Sequence, residues 1–258
     1  MSLFTTYRTP SAAASWTPAE LDSSVLLGWW DVSDSDNRTI DTGEVVNLTD
    51  LSGNSNTMSA PVTADRPTLQ SADQNSLDTM FFQRAEGNLM KLSDSASLST
   101  AFDGNREIGV WCVFENLETV TSARNFWRML ATSSVWIHAL QWTTSGTPDI
   151  AEMNALGITT QDTGVTVDGN YHIVGVNVVE VGGGSDEQNM YIDSTTPAQV
   201  TGELNAAGAF SAWGIGNNEV DSAPSECKFG EILLTVGDQS GDTATNIITY
   251  LNDKWSIF

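Results

Sequence analysis

The stretch Phe229–Phe258, FGEILLTVGDQSGDTATNIITYLNDKWSIF, reads as one strand running into one short amphipathic helix. In GEILLTV, Ile232, Leu234 and Val236 fall on one face at period two, with Glu231 and Thr235 on the other, the pattern of a strand buried on one side. Gly237 to Asp242 carries turn chemistry, and Asp242 or Thr243 supplies a cap for the first free N–H groups. Ile247, Ile248, Leu251 and Trp255 then recur at helical spacing. An apolar stripe of that kind needs a sheet to lie on.

The preceding chain supplies one. From Val25 onward, short β-type runs alternate with Gly, Asn, Asp and Ser clusters: SVLLGWWDV, EVVNLTDL, TMFFQ, REIGVWCVFENL, SVWIHALQW, YHIVGVNVVEV, QNMYIDS and FSAWGIGN. Regular short strands separated by turn signals predict a sandwich or barrel. GGGSD, residues 182–186, joins two of these runs and reads as a hairpin loop; it lacks the Lys-Ser or Lys-Thr of a phosphate cradle. Residues 1–20 are small and polar, with Pro10 and Pro18 breaking any regular element, and form an extended arm. Leu3, Phe4, Tyr7 and Trp16 give that arm apolar anchors for docking on the domain or on a neighbour. Residues 21–258 form one domain, a length that all-β sandwiches reach as single units.

Charge narrows the partners. The chain carries 33 acidic against 10 basic residues, a formal net charge of −23. Such a surface repels nucleic acid and anionic membrane, so neither is expected as a partner. No apolar run is long enough to span a bilayer, and the N-terminus lacks the apolar segment of a signal peptide, which predicts synthesis in a cytoplasm. The two cysteines, Cys112 and Cys227, do not make a disulfide scaffold or a zinc site, and a single bridge between them is left open.

The order of landmarks resembles a known family. SVLLGWWDVSD, GEVVNLTDLSGNSNTMSA, RPTLQ and TMFFQRAEGNLMKL, followed by DGNYHIVGVNVVEV, QNMYIDSTT, FSAWGIGN and ITYLNDKW, are similar to the succession in concanavalin A-like lectin/glucanase modules of the laminin-G type. The SGN turn and the YLNDKW terminus are the most specific pieces, and the likeness runs over roughly residues 25–258. It implies an all-β fold, an antiparallel concanavalin-like jelly-roll sandwich with a short C-terminal helix. Lone modules of this type with a short arm resemble tailed-phage virion components. That resemblance implies a non-catalytic capsid decoration or appendage subunit, a homo-oligomer contacting other virion proteins and released by lysis. The alternative it implies is a lectin-like adhesion module that binds a cell-surface glycan.

A glucanase on this fold needs paired carboxylates on one sheet face. Glu231, Glu115, Glu118 and Asp193 are isolated or wrongly spaced for that, and read as solvated carboxylates on strand edges, Glu231 pointing outward. His138 and His172 lie in no nucleophile motif. No catalytic residue is assigned and no enzyme is expected. No cofactor is assigned either, calcium excepted as a cation that the hard oxygens of Asp31, Asp34, Asp36, Asp50 and Asn54 would suit. The competing reading is that these residues hold their own turns, and it is the favoured one. In REIGVWCVF, Trp111 lies opposite Ile108, Val110, Cys112 and Phe114; in SVWIHALQW, Trp136, His138, Leu140 and Trp142 share a face. Both strands are apolar on two faces. Trp111, Trp136, His138 and Trp142 are therefore candidates for a glycan groove, with core packing or a subunit interface as the rival account.

Overall fold

The computed structural model describes residues 15–103, 105–119, 124–131, 136–142, 152–155, 161–182, 185–204, 209–218 and 223–258, with backbone alone for 136–138, 142 and 152–155. The strands, in chain order, begin with β1 (Leu26–Asp31), β2 (Arg38–Asp41), β3 (Glu44–Leu48), β4 (Met58–Ser59), β5 (Thr68–Gln74), β6 (Leu77–Phe82), β7 (Met90–Ser93) and β8 (Ile108–Asn116). They continue with β9 (Arg124–Ala131), β10 (Trp136–Trp142), β11 (Glu152–Ala155), β12 (Gln161–Asp162) and β13 (His172–Val179). The last are β14 (Asp186–Ile192), β15 (Ala198–Gly202), β16 (Phe210–Ile215) and β17 (Cys227–Val236). Helix α1 (Ala96–Phe102) precedes β8, and α2 (Asp242–Trp255) closes the chain. None of the helices described is long and apolar enough to cross a membrane.

All pairings are antiparallel, and they form two ladders. One runs β1–β17–β8–β13–β14–β15. The other runs β7–β16–β9–β10–β11–β12. The ladders face each other, because one contiguous core takes Ile108, Val110, Cys112, Phe114, Val174, Val176, Ile232 and Leu234 from the first and Trp127, Met129, Leu140, Trp213 and Ile215 from the second. Aromatic pairs bridge the layers: Trp30 meets Trp213 with centroids 5.9 Å apart, and Phe114 meets Phe126 at 4.9 Å. This is the sandwich that the strand pattern predicts. The seam along one side is hydrogen-bonded throughout: β17 pairs with β6, β6 with β5, β5 with β3, β3 with β4, and β4 with β7. Cys112 and Cys227 are both free thiols in the core, and burial pushes Cys112 well above the ordinary thiol range.

Strand β17 is buried along both faces, which corrects the reading of a strand solvated on one side. Its inner residues Ile232, Leu234 and Val236 enter the sandwich core. Its outer Leu233 joins Trp111, Val113, Ile173 and Tyr191 beneath the α2 stripe of Ala244, Ile247, Ile248, Leu251 and Trp255. The helix therefore supplies the cover that the two-faced apolar pattern of β8 demanded. A slip of register against β8 between Phe229 and Ile232 rephases the strand, so that both of those residues point inward although they are three apart. Gly230 sits in that slip, and a Cβ there would come within 2.6 Å of the Trp255 ring, so the indole packs directly on backbone. Helix α2 starts at Asp242 behind an N-cap Gly241 with no side-chain cap, in place of the predicted Asp242 or Thr243 cap. Its C-terminal carbonyls are caught by the β5–β6 hairpin: Gln74 Nε2 donates to the Trp255 carbonyl at 2.9 Å and Asn75 Nδ2 to that of Lys254 at 2.8 Å.

Two polar centres flank the apolar patch under α2. At the first, Glu231 is 0% exposed, which overturns its assignment as an outward, solvated carboxylate. Four donors surround it: Trp29 Nε1 at 2.6 Å and Tyr250 OH at 2.9 Å on Oε1, Lys254 Nζ at 2.7 Å and Trp255 Nε1 at 2.9 Å on Oε2. Burial and the neighbouring Asp31 push its carboxyl up, while Lys254 and the indole donor of Trp255 hold it down. A group met only by donors is one that the structure uses as an acceptor. Glu115 and Glu118 are buried and paired as well, with Lys228 and Arg84.

At the second centre, Tyr171 OH donates to Asp73 Oδ2 at 2.5 Å, and Lys228 Nζ lies 3.0 Å from both Asp73 and Glu115. Next to it, His172 Nδ1 lies 2.7 Å from Asp193 Oδ2 and Nε2 lies 3.4 Å from Asp168. The hydrogen bond that His172 donates to Asp193 raises the His172 pKa above the ordinary histidine value, against burial that lowers it, and Asp168 adds to the rise.

Two outcomes follow from these centres. Glu231→Ala leaves two indole N–H groups and the Tyr250 hydroxyl without their acceptor and Lys254 with Asp31 alone, and a loss of about 3–5 kcal/mol in urea unfolding is expected; a loss below about 1 kcal/mol would show that the carboxylate does not pin the helix. His172, with its folded pKa raised, contributes stability that is fully present below its unfolded value of about 6.5 and is lost as pH rises through the folded value. Urea midpoints measured from pH 5.5 to 8.5 should therefore fall with pH in the parent relative to His172→Gln. Parallel curves would refute the linkage.

Candidate ligand cleft

A cleft forms at the seam, beside the short strands β4 and β7. Asp50 organises the DLSGNSN loop that leads into it. Its Oδ1 accepts from the backbone N–H of Trp29 (3.0 Å) and Ser52 (2.8 Å), and its Oδ2 from Ser52 Oγ (2.8 Å) and the Asn56 N–H (2.9 Å). Asn54 Nδ2 donates to the carbonyls of Ser23 and Leu26, lacing the loop to the start of β1. Gly53 and Ser55 both take positive φ (86° and 61°) to close the turn. Asn56 then ties three elements together. Its Nδ2 donates to the Leu27 carbonyl at 2.6 Å, its own carbonyl accepts from Trp30 Nε1 at 2.8 Å, and its Oδ1 accepts from Ser95 and Ser97 at the start of α1.

Beyond Asn56 the alternation of two short strands sorts the side chains. Met58 and Leu92 turn inward and are buried, while Thr57, Ser59 and Ser93 are exposed and Lys91 is half-buried. Ser59 and Lys91 are direct partners in the β4–β7 pairing. The result is a cleft of about 550 Å³ walled by Ser55, Thr57, Ser59, Lys91, Ser93 and Asp94, with Ala60, Pro61 and Leu92 as its apolar lining. Asn56 and Ser95 are committed to the network above, and Asp94 accepts from Ser99 Oγ, which lies 2.7 and 2.8 Å from its two carboxylate oxygens. The side chains of Ser55, Thr57, Ser59, Lys91 and Ser93 have no partner among the described residues. Four hydroxyls and one ammonium thus face open space with their hydrogen-bonding capacity unused, on a backbone fixed by pairing on both sides.

A second polar cleft of about 410 Å³ lies between Gln74, Asn170, Tyr171, His172, Asp193 and Ser256. Its groups are largely committed to one another. Asp193 accepts from His172 and from the Ile173 N–H at 2.8 Å, Gln74 holds α2, and Tyr171 is bound to Asp73. Burial, reinforced by Asp73, holds the Tyr171 hydroxyl far above its ordinary pKa, so it serves as a neutral donor. This cleft is a junction of the fold, and the first is the better candidate for a ligand.

The residues singled out in the sequence fare differently. Trp111 is fully buried under α2, against Tyr191 at 5.3 Å and with Nε1 donating to Thr235 Oγ1 at 3.3 Å, so it offers no ring to a ligand. Trp136, His138 and Trp142 lie on β10, where pairing with β9 slips at Trp136/His138 and at Leu140/Gln141; their side chains are outside the described residues. The acidic set does not converge on a cation. Asp31 is ion-paired to Lys254 at 2.5 Å, Asp34 caps a short helical turn by accepting from the Asp36 N–H, Asp36 is exposed, and Asp50 and Asn54 hold the loop described above. Among the described residues no group of three or more His, Cys, Asp or Glu side chains is placed to hold a metal. Leu3, Phe4 and Tyr7 are outside the described residues, whereas Trp16 packs edge-on against Tyr250 of the chain's own α2, with centroids 6.3 Å apart. Ser59, Lys91 and Ser93 were not singled out; the only sequence signal for them is the brief alternation Met90-Lys91-Leu92-Ser93.

No family model matches the chain, and no curated protein matches it. Among solved structures it is similar to the binding domain of Paraclostridial Mosquitocidal Protein 1, with a TM-score of 0.56 and 10% identity over 90% of this chain and 53% of that one. It is also similar to Trypanosoma rangeli sialidase in complex with sialic acid, with a TM-score of 0.54 and 10% identity over 88% of this chain and 33% of that one. A third is domain 4 of AbnA, a GH43 extracellular arabinanase from Geobacillus stearothermophilus, in complex with arabinotriose: TM-score 0.53, 14% identity, 86% of this chain and 97% of that one. The chain thus spans about half of the mosquitocidal domain and a third of the sialidase, and nearly the whole of the arabinanase domain. At these identities the likeness is one of fold, and the fold it shows is an antiparallel β-sandwich with a C-terminal helix.

Proposed function

We propose that the chain is a non-catalytic carbohydrate-binding module whose ligand occupies the cleft between the DLSGNSN loop and β7. The observation that carries this is the convergence of four unspent hydroxyls and one ammonium on a cleft with a small apolar lining. Sugars present alternating hydroxyls and C–H faces. Serine and threonine hydroxyls both donate and accept, so they match a ring of hydroxyls without fixing one polarity. Each such hydrogen bond adds about 0.5–1.5 kcal/mol net, and a handful of them, set against the cost of association, supports dissociation constants of about millimolar to micromolar.

Two of the similar structures hold sugars, sialic acid and arabinotriose, and this supports the reading by analogy of fold. The non-catalytic part of the reading is supported by the commitment of Glu231, Glu115 and Glu118 to cationic partners in the interior. The laminin-G-type affiliation rests on the SGN turn and the YLNDKW terminus, and a place on a virus particle rests on that resemblance alone. Trp16, the described anchor of the arm, is satisfied by α2 of its own chain.

The test is a glycan array followed by titration calorimetry on the best ligand, with Ser59→Trp to fill the cleft and near-ultraviolet circular dichroism to verify folding. Binding that drops at least tenfold in Ser59→Trp is expected. Unchanged binding in Ser59→Trp together with loss in Trp136→Ala or Trp142→Ala would move the site to β10, and no glycan bound at all would refute the module.

A further inference from the structure

We infer that the ligand of this cleft is an acidic sugar, a uronic-acid type of unit whose carboxylate seats on Lys91; this rests on the carbohydrate-binding reading above. Cations are scarce in this chain. With 33 acidic and 10 basic residues, the chain has far more carboxylates than cations to pair with them. Cations in it are accordingly taken: Arg38 by Asp78, Arg66 by Asp41, Arg84 by Glu118, Arg106 by Glu180, Lys228 by Asp73 and Glu115, and Lys254 by Asp31 and Glu231. Arg124 and Arg128 have partners too. Lys91 alone among the described lysines and arginines has no partner among the described residues, and it lines the cleft between the DLSGNSN loop and β7.

Its position is held from both sides. Lys91 pairs with Ser59 of β4 and with Gly214 of β16, so the stem of the side chain rises from a fixed point of the sheet. The one carboxylate that lines the same cleft, Asp94, is engaged by Ser99 and makes no ion pair with Lys91. Ser59 and Ser93 stand beside it as neutral donors. An ammonium flanked by hydroxyl donors, with no acceptor charge committed to it, is the complement of a carboxylate. The distant negative charge of the chain does not forbid this. Its field is screened over about 8 Å at physiological salt, whereas the carboxylate would sit within hydrogen-bonding distance of Nζ.

The experiment compares trisaccharides of galacturonate, mannuronate and glucuronate with their neutral hexose counterparts by titration calorimetry, on the full chain and on Lys91→Gln and Lys91→Arg. At least one acidic trisaccharide should bind about tenfold or more tighter than its neutral counterpart. Lys91→Gln should reduce that preference to within about twofold, Lys91→Arg should retain most of it, and raising NaCl from 50 to 500 mM should weaken the acidic ligand selectively. Neutral sugars that bind as well as acidic ones, or a preference that survives in Lys91→Gln, would overturn the inference while leaving the cleft as a neutral-sugar site. If neither class binds, nor any glycan on the array, the carbohydrate-binding reading itself falls.

Discussion

The interior carboxylate of Glu231 is the interaction on which the rest of this structure depends. A charge placed between a sheet and a helix is costly to desolvate, and the cost is offset only when the geometry around it is complete. Here completeness draws on three separate elements: Trp29 from the first strand, Glu231 from the last, and Tyr250, Lys254 and Trp255 from the closing helix. Because both chain ends of the domain contribute, the centre fixes the angle and register at which α2 lies on the sheet, which apolar packing alone specifies loosely. The indole of Trp255 lying on Gly230 adds a steric check on the same register.

Once the helix is set, the outer face of the first ladder is covered over β1, β17, β8 and β13, and the proposed ligand cleft lies away from it at the seam. Trp111, Tyr191 and Leu233 are consumed under α2, and the clusters around Asp73 and His172 seal the other end of that face. At the seam, the segment between β3 and β7 carries hydroxyls that have no partner among the described residues. Loops and short edges that a rigid scaffold holds in place are where binding residues concentrate.

Much of this architecture was legible in the amino-acid sequence, and the failures have physical causes. The period-two runs of β8, β13 and β17 and the stripe of α2 stood out because each is long enough for its period to show. Asp50 and Asn54 announced a turn through residue types that bond to nearby backbone, and they do so here. Glu231 was misread because a lone acid on a strand ordinarily faces water; its partners come from positions 29 and 250–255, and no local pattern records that juxtaposition. The rephasing between Phe229 and Ile232 is likewise invisible in a regular alternation. Strands β4 and β7 span two and four residues, too short for any period, so the cleft they build was missed although its loop was recognised.

The pairing of Ser59 with both β3 and β7 makes β4 a bridge only two residues wide between the two layers. A guest held in the proposed cleft would touch the loop that Asn56 ties to β1 and the strand β7 that pairs with β16. It would therefore act as a staple across the joint, stabilising the closed sandwich by mass action without any change in its shape. The proposed ligand cleft lies at this two-residue bridge, so a ligand there would couple binding to the stability of the seam.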